Sequence, residues 1–515
     1  MMTKPLISNP LEESTASKIA EPCVLVIFGA TGDLTARKLL PAIYNLKREG
    51  QLPSHFACVG FARRPKSHEQ FRTEMYDAIN KYSRVKPIDQ KLWSTFSEQI
   101  FYHMSEFDND AGYKNLDNFL QEIDAKFGTK GNRIFYLSTP PSYFETIIQK
   151  LGAHGLIYNS EKTHNKWSRV IVEKPFGHDL ETAYELQRSI SEYLKEDQIY
   201  RIDHWLGKET VQNLLVMRFG NAIFESTWNN RYIDSVQITV SEDIGVGTRG
   251  KFWEEAGMLR DIVQNHMMQL LSLVAMEPPV DIKADSIRDE KVKVLHSIRP
   301  IPLQQLDQFA IRGQYGPGFV NGEPAKGYRQ EDNVNESSIV ESYVALQLFI
   351  DNWRWAGVPF YLRAGKRLPK KATEIAVIFK QAPGVLFNRS CRRDDANVLV
   401  IRIQPDEGIA LRINSKVPGI NNPIQPVRMD FRYGSYFGVA PPEAYERLII
   451  DCVLGDSTLF AREDEVLTSW KLFTPILERW QEVRPHDFPN YPAGTWGPLA
   501  ADQLIQRSGR HWRFL

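Results

Sequence analysis

Four short stretches concentrate side chains able to move protons or hold anions. "RIDHWLGKETVQNL", residues 201–214, sets Asp203, His204, Trp205 and Lys208 within six positions. A carboxylate can orient an imidazole and stabilise its protonated form, and a histidine with a lysine can grip a phosphate. The same string also suits a solvated helix start capped by Asp203. "GMLRDIVQNHMMQLL", 257–271, puts Met258, Leu259, Ile262, Val263, Met267 and Leu270 on one face of a 3.6-residue helix, leaving Asp261, Asn265 and His266 off it. A histidine beside such a stripe serves packing as readily as catalysis. A carboxylate from elsewhere would make it a base, and Asp203 is the candidate. "FYLRAGKRLPKKATEI", 360–375, follows a strand with Arg363, Lys366, Arg367, Lys370 and Lys371, a cluster suited to a polyanion or to a solvated sheet edge.

The fourth stretch, "CVLVIFGATGDLTARKLLPA" at 23–42, runs a strand into two glycines and then a helix. Gly29 lets the strand turn tightly, and Gly32 lets the backbone approach a pyrophosphate, whose charge meets the free N–H groups of the helix start. The spacing is Gly-x-x-Gly rather than the full GxGxxG, so the reading rests on context: a second strand, "FACVGFA", closes the unit about thirty residues on. An NAD site would place Asp or Glu at the end of that strand. Arg63 and Arg64 stand there instead, and guanidiniums favour a ribose 2′-phosphate, hence NADP. A solvated basic loop is the alternative.

The elements that must position these residues fall into two textures. Strand, turn, helix and strand over 23–60 form one βαβ unit, with Pro41 kinking or dividing the helix and Gly50 ending it. "RIFYLS" (133–138) and "SRVIVEKPFG" (168–177), separated by helical "SYFETIIQKLGAHG", extend it into an α/β, Rossmann-like, doubly wound parallel sheet. After about residue 200 come "SVQITVSED", "SYVALQLFID", "FYLRAGKRL", "EIAVIFK" and "NVLVIRIQPDEGIALRIN", predicting an α+β domain built on a large, mostly antiparallel sheet. Its helices include the 257–276 stretch and "AYERLIIDCVLG". The expected division is a flexible N-terminal arm over 1–21, an NADP-binding domain over 22–202 and a β+α domain over 203–515.

Lys+Arg and Asp+Glu balance at 63 each, so no basic excess points to nucleic acid. The N-terminal stretch lacks an apolar targeting core and no run of about twenty apolar residues follows, which predicts a soluble cytoplasmic protein without a membrane partner. Cys23, Cys58, Cys391 and Cys452 lack ligand spacing; no metal site is expected, and Cys23 and Cys58 read as reduced core residues.

Taken together, "GATGDLTARKLLPA", "EKPFG" at 173–177, "RIDHWLGKE" at 201–209, "RDIVQNH" at 260–266, "LRAGKRL" at 362–368 and "IRIQP" at 401–405 resemble the glucose-6-phosphate dehydrogenase family, from about residue 22 to 515. The resemblance implies oxidation of glucose 6-phosphate to 6-phosphogluconolactone with NADP, the first step of the oxidative pentose phosphate pathway, by a homodimer or tetramer. It makes His266 the general base toward the C1 hydroxyl and Asp203 its carboxylate partner. Lys208 and His204 match phosphate-holding residues, Lys174 one near sugar and cofactor, and Glu242 and Asp261 acceptors from sugar hydroxyls. Lys366, Lys371 and Gln404 match the sugar site. Gly29, Ala30, Thr31, Gly32, Asp33 and Leu34 match the pyrophosphate turn, Arg63 the 2′-phosphate arginine, and Pro140 of "LSTPP" the nicotinamide side. Trp205 stands where the family usually has Tyr, exchanging a phenol for an indole N–H beside the phosphate. Arg363, Arg402 and Lys416 match part of a second, structural NADP site of some members, where Trp496 occupies a position that is often basic. Two rival readings share the nucleotide turn: a sugar oxidoreductase acting on an unphosphorylated substrate, and a noncatalytic NADP(H)-binding regulator.

Overall fold

The computed structural model describes residues 20–158, 166–382, 396–419, 424–438 and 441–515. Most of the expected N-terminal arm, and Cys391, lie outside the described residues. The chain divides into two compact units: Met1–Gly207 with Pro279–Asp289 and Pro442–Leu467, and Lys208–Pro278 with Glu290–Pro441 and Thr468–Leu515.

The first unit is built on parallel strands Cys23–Phe28 (β1), Phe56–Ala62 (β2), Ile100–Met104 (β3), Arg133–Leu137 (β4), Ser168–Val172 (β5) and Ile199–Ile202 (β6). Their spatial order is β3, β2, β1, β4, β5, β6, with the two-residue strand Phe460–Ala461 antiparallel on the outer side of β6. Both β1 and β2 are buried along their whole length, as expected of apolar strands covered on both faces. Helices Asp110–Phe127 and Phe144–Ala153 bring Leu116, Leu120, Ile147 and Leu151 into one core with Val24, Val26, Val59, Phe61 and Phe135 of the sheet. After β1 the helix is π-wound over Thr35–Leu39 and α-wound over Leu40–Arg48. Pro41 sits in the first α turn, where its missing N–H does least harm, and Gly50 follows the helix end at φ +69°.

Two features depart from the expected division. The boundary falls at 207/208 rather than 202/203, and helix Ala444–Leu454 belongs to the first unit rather than to the second. The cause is long-range packing. That helix buries Leu448, Ile449, Cys452 and Val453, and its Glu446 carboxylate accepts from Asn45 Nδ2 at 2.9 Å and Arg84 Nε at 2.7 Å. No local pattern announces such partners.

The second unit carries an eight-stranded sheet in the order Ile424–Arg432, Gly408–Lys416, Val398–Gln404, Ala372–Phe379, Ile233–Ser241, Pro359–Gly365, Tyr343–Phe349, Ala310–Gly313. Every neighbouring pair is antiparallel except Ile233–Ser241 with Pro359–Gly365. Among the described residues no helix is long and apolar enough to cross a membrane.

The C-terminal tail is stitched to this sheet. Gln237 Nε2 donates to His511 O at 2.9 Å and Gln237 Oε1 accepts from Arg513 N at 2.8 Å, while Arg510 grips Asp234 and Arg513 reaches Glu374. Trp512 and Trp496 place their rings 4.6 and 5.0 Å from the Arg363 guanidinium carbon, and Arg363 is 3% exposed. A chain ending at Gly509 loses the Trp512 contact and both ion pairs; its thermal midpoint should fall by about 5 °C or more, with a red-shifted tryptophan emission. An unchanged midpoint would show the tail to be dispensable.

Candidate active site

The nucleotide turn of the first unit is shaped by contacts that exclude side chains. Gly29 has φ +80°, and a Cβ there would lie 2.2 Å from Ser138 O at the end of β4. Gly32 N donates back to Gly29 O at 2.9 Å, and a Cβ on Gly32 would stand 3.0 Å from that same oxygen. Ala30 is fully buried, Thr31, Gly32 and Leu34 are partly exposed, and Asp33 is exposed at the helix start. This turn sits between β1 and β4, where the strand order reverses, which is where open α/β sheets receive ligands. The bare backbone cradle fits a pyrophosphate. Arg63 and Arg64 are exposed at the end of β2, and Pro140 is exposed after β4, so the expected cofactor residues lie at the same carboxyl ends of the strands.

After β5 the "EKP" segment and after β6 the "DHW" segment bring further groups to these ends. Glu173 accepts from Tyr136 Oη at 2.5 Å and also from the Tyr445 hydroxyl. Burial pushes its carboxyl up to about 7, against the lowering pull of the two phenols and Lys174 and with Asp203 adding to the rise. The Tyr445 ring stacks on His204 at 6.2 Å between centroids and 7° between planes. Asp203 is 3% exposed and accepts the Trp205 N–H on Oδ1 at 3.0 Å, so it caps a turn but is no solvated helix cap. Trp205 is itself buried.

In the second unit the organising group is Lys366, 1% exposed. Its ammonium pairs with Glu242, at the end of strand Ile233–Ser241, and lies 4.6 Å from the Trp253 ring centroid. Its backbone is held on both sides: the N–H donates to Ser342 O at 3.0 Å and the carbonyl accepts from Tyr491 Oη at 2.8 Å. Lys208, just before helix Glu209–Phe219, donates to Gln404 Oε1, whose amide donates on to Thr373 Oγ1 at 3.1 Å. Burial raises the neighbouring Glu407 carboxyl, with Lys208 opposing.

The basic run at 360–375 is not one anion-binding patch. Arg363 is buried with the Trp496 and Trp512 rings beside its guanidinium; Lys366 is buried and pairs with the partly exposed Glu242; Arg367 pairs with Glu331 at 3.4 Å; of these five only Lys370 and Lys371 are exposed. Only Arg363 lies within strand Pro359–Gly365; Lys366, Arg367, Lys370 and Lys371 fall in the turn before strand Ala372–Phe379, where Lys366 and Arg367 meet different carboxylates, Glu242 and Glu331, which residue counting along the chain overlooks.

The helix carrying Asp261 and His266 also departs from the expected geometry. Leu259–Met267 is π-wound and becomes α-helical over Met268–Ala275. Hydrogen bonding from i to i+5 brings residues five apart onto one face, which aligns Asp261 with His266; a 3.6-residue wheel separates them. His266 is 1% exposed and Asp261 partly exposed, so the histidine is not on the solvent side of an apolar stripe. Sequence reasoning also missed Glu173's phenol partners, Trp253 beneath Lys366, and Glu341, whose contacts are all long-range.

Comparison with known proteins spans both units. The glucose-6-phosphate dehydrogenase NAD binding domain matches residues 26–213 and the glucose-6-phosphate dehydrogenase C-terminal domain matches 215–513. Identity to the glucose-6-phosphate 1-dehydrogenase of Chlamydia muridarum is 58% over 496 residues, 96% of this chain and 97% of that one. For the Bacillus subtilis enzyme of the same name it is 46%, covering 95% and 98%. A solved glucose-6-phosphate dehydrogenase in complex with its substrate glucose-6-phosphate superposes with a TM-score of 0.87 at 38% identity, covering 97% of this chain and all of that one. The chain belongs to the glucose-6-phosphate dehydrogenase family.

Proposed function

We infer that this protein oxidises glucose 6-phosphate at C1 to 6-phosphogluconolactone, reducing NADP to NADPH, as the entry step of the oxidative pentose phosphate pathway. The observation that carries the reading beyond family membership is the pairing of buried Lys366 with the partly exposed Glu242, a preformed cation and acceptor in the unit that also carries His266. His266 takes the proton of the C1 hydroxyl as the C1 hydrogen departs with its electron pair, leaving the C1–O bond doubled in the lactone. Asp203 stabilises the imidazolium so formed, and its enclosure in the protein strengthens that interaction. Lys208 and His204 hold the phosphate, with Trp205 at its margin, and Lys371 belongs to the sugar site. Glu242 and Asp261 accept from sugar hydroxyls, and Lys366 and Gln404 fix the donors and acceptors around them. Gly29, Ala30, Thr31, Gly32, Asp33 and Leu34 hold the NADP pyrophosphate, Arg63 its 2′-phosphate, and Pro140 and Lys174 flank its nicotinamide side. When bound, NADP supplies the hydride acceptor.

Self-association as a dimer or tetramer and residence in the cytoplasm belong to the same proposal. The edge strand Ile424–Arg432 exposes Ile424, Val427 and Met429, apolar surface suited to a second copy, and Cys23, Cys58 and Cys452 are unpaired thiols.

Absorbance of reduced nicotinamide tests the reading, with protein added to glucose 6-phosphate and NADP, to glucose 6-phosphate and NAD, and to free glucose and NADP. A rise that requires the phosphate supports it, and the cofactor ratio reports on Arg63. A rise with free glucose as large as with the phosphorylated sugar favours the other sugar oxidoreductase. No rise from folded protein favours the regulator.

His266→Asn should lower kcat by about 10²–10⁴-fold with the glucose 6-phosphate KM within about threefold, as removal of a transition-state interaction does. Unchanged kcat would remove His266 from the mechanism.

Glu173 gives a pH test. Its folded value of about 7 lies above that of an unfolded glutamate, so the stability it lends is present in acid and is lost as pH rises through 7. Glu173→Gln, neutral throughout, should therefore gain thermal midpoint relative to wild type between pH 5 and pH 8. A constant difference between the two proteins across that range would show that Glu173 does not titrate there.

A further inference from the structure

Glu341 lies just before strand Tyr343–Phe349, away from every motif singled out in the sequence, and is 7% exposed. Its Oε1 accepts the Leu259 N–H at 3.0 Å and its backbone carbonyl accepts the Met258 N–H at 3.0 Å. Both donors belong to the start of the helix that carries Asp261 and His266, where N–H groups have no partner within the helix. The approach is possible because the chain breaks at Gly257, with φ +65° and ψ 177°, and a Cβ there would stand 2.5 Å from Glu341 Oε1.

The next residue, Ser342, faces the other way. Its carbonyl accepts the Lys366 N–H at 3.0 Å, its own N–H donates to Gly313 O at 2.8 Å, and its hydroxyl meets Tyr315 N and Tyr491 Oη, each at 3.1 Å. Two adjacent residues thus tie the helix start on one side and the Lys366 backbone on the other.

We propose that Glu341 is a positioning residue of the reaction, fixing the helix that bears Asp261 and His266 in register with Lys366. The inference rests on the dehydrogenase reading above. The bond to Leu259 needs only an acceptor oxygen, so the amide of Glu341→Gln retains it, Glu341→Asp presents it one methylene short, and Glu341→Ala removes it. The side chain touches neither reacting group, so its effect is on geometry, where small displacements cost rate steeply.

The test compares these three variants in the full-length protein. Expected are a kcat lowered at least tenfold in Glu341→Ala, an intermediate loss in Glu341→Asp, and recovery to within about threefold of wild type in Glu341→Gln, each per mole of protein that binds NADP with wild-type affinity. Should the alanine variant fail to fold, the aspartate and glutamine pair carries the comparison. The second readout is the titration of the His266 ring signal by NMR in histidine-labelled protein, assigned by its loss in His266→Asn. It should shift by at least 0.3 pH unit in Glu341→Asp and return in Glu341→Gln. Wild-type kcat and an unmoved His266 titration in the aspartate variant would overturn the proposal. Absence of activity in the wild type would instead count against the dehydrogenase reading, and the His266 signal would still judge Glu341.

Discussion

A lysine ammonium that is 1% exposed has to be compensated where it stands, and Lys366 sets that requirement for the second unit. Glu242 supplies the opposite charge and Trp253 the π face. Glu242 is delivered by the end of a central strand, Trp253 by helix Gly250–Met258, and the Lys366 backbone is pinned by Ser342 and Tyr491. With Glu242 still partly exposed, the pair is a poor source of stability, because the cost of desolvating the lysine offsets the attraction. Retaining it amid sugar-binding candidates makes sense as a preformed recognition element, with little rearrangement left when substrate arrives.

The same unit shows local irregularity placed where chemistry is expected. Gly257 breaks the chain, the following π-helix runs over Leu259–Met267, and only then does the helix become regular. A regular α-helix through 257–275 would separate Asp261 from His266 around its circumference. The less favourable π winding is held by neighbours, including Glu341 at its start and Ser469, which donates to Gln264 O along its length.

What was legible in the sequence was legible through periodicity and turn chemistry. β1, β2, β4 and β5 announce themselves as apolar runs, Gly29 as a turn and Gly50 as a helix stop, and the antiparallel strands of the second unit as alternating segments. The site's residue types were legible as crowded motifs, but their partners were not. Helix Ala444–Leu454 joins the first unit through Asn45 and Arg84, which stand 401 and 362 residues away from Glu446 along the chain. Arg363 stood in a basic run, and its contacts with Trp496 and Trp512, 133 and 149 residues further on, had no local signal. The π winding has no signal in a 3.6-residue pattern, and Glu341 lies in no motif. Each miss is a contact made in space by residues whose local sequence is unremarked.

Transfer of the C1 hydrogen of glucose 6-phosphate to the nicotinamide is the central step. Its most direct test is a single turnover with glucose 6-phosphate deuterated at C1, followed by NMR of the recovered NADPH. The expected result is one deuterium on the nicotinamide C4 and none in solvent, with a slowed hydride step. Unlabelled NADPH, or deuterium released to water, would contradict it.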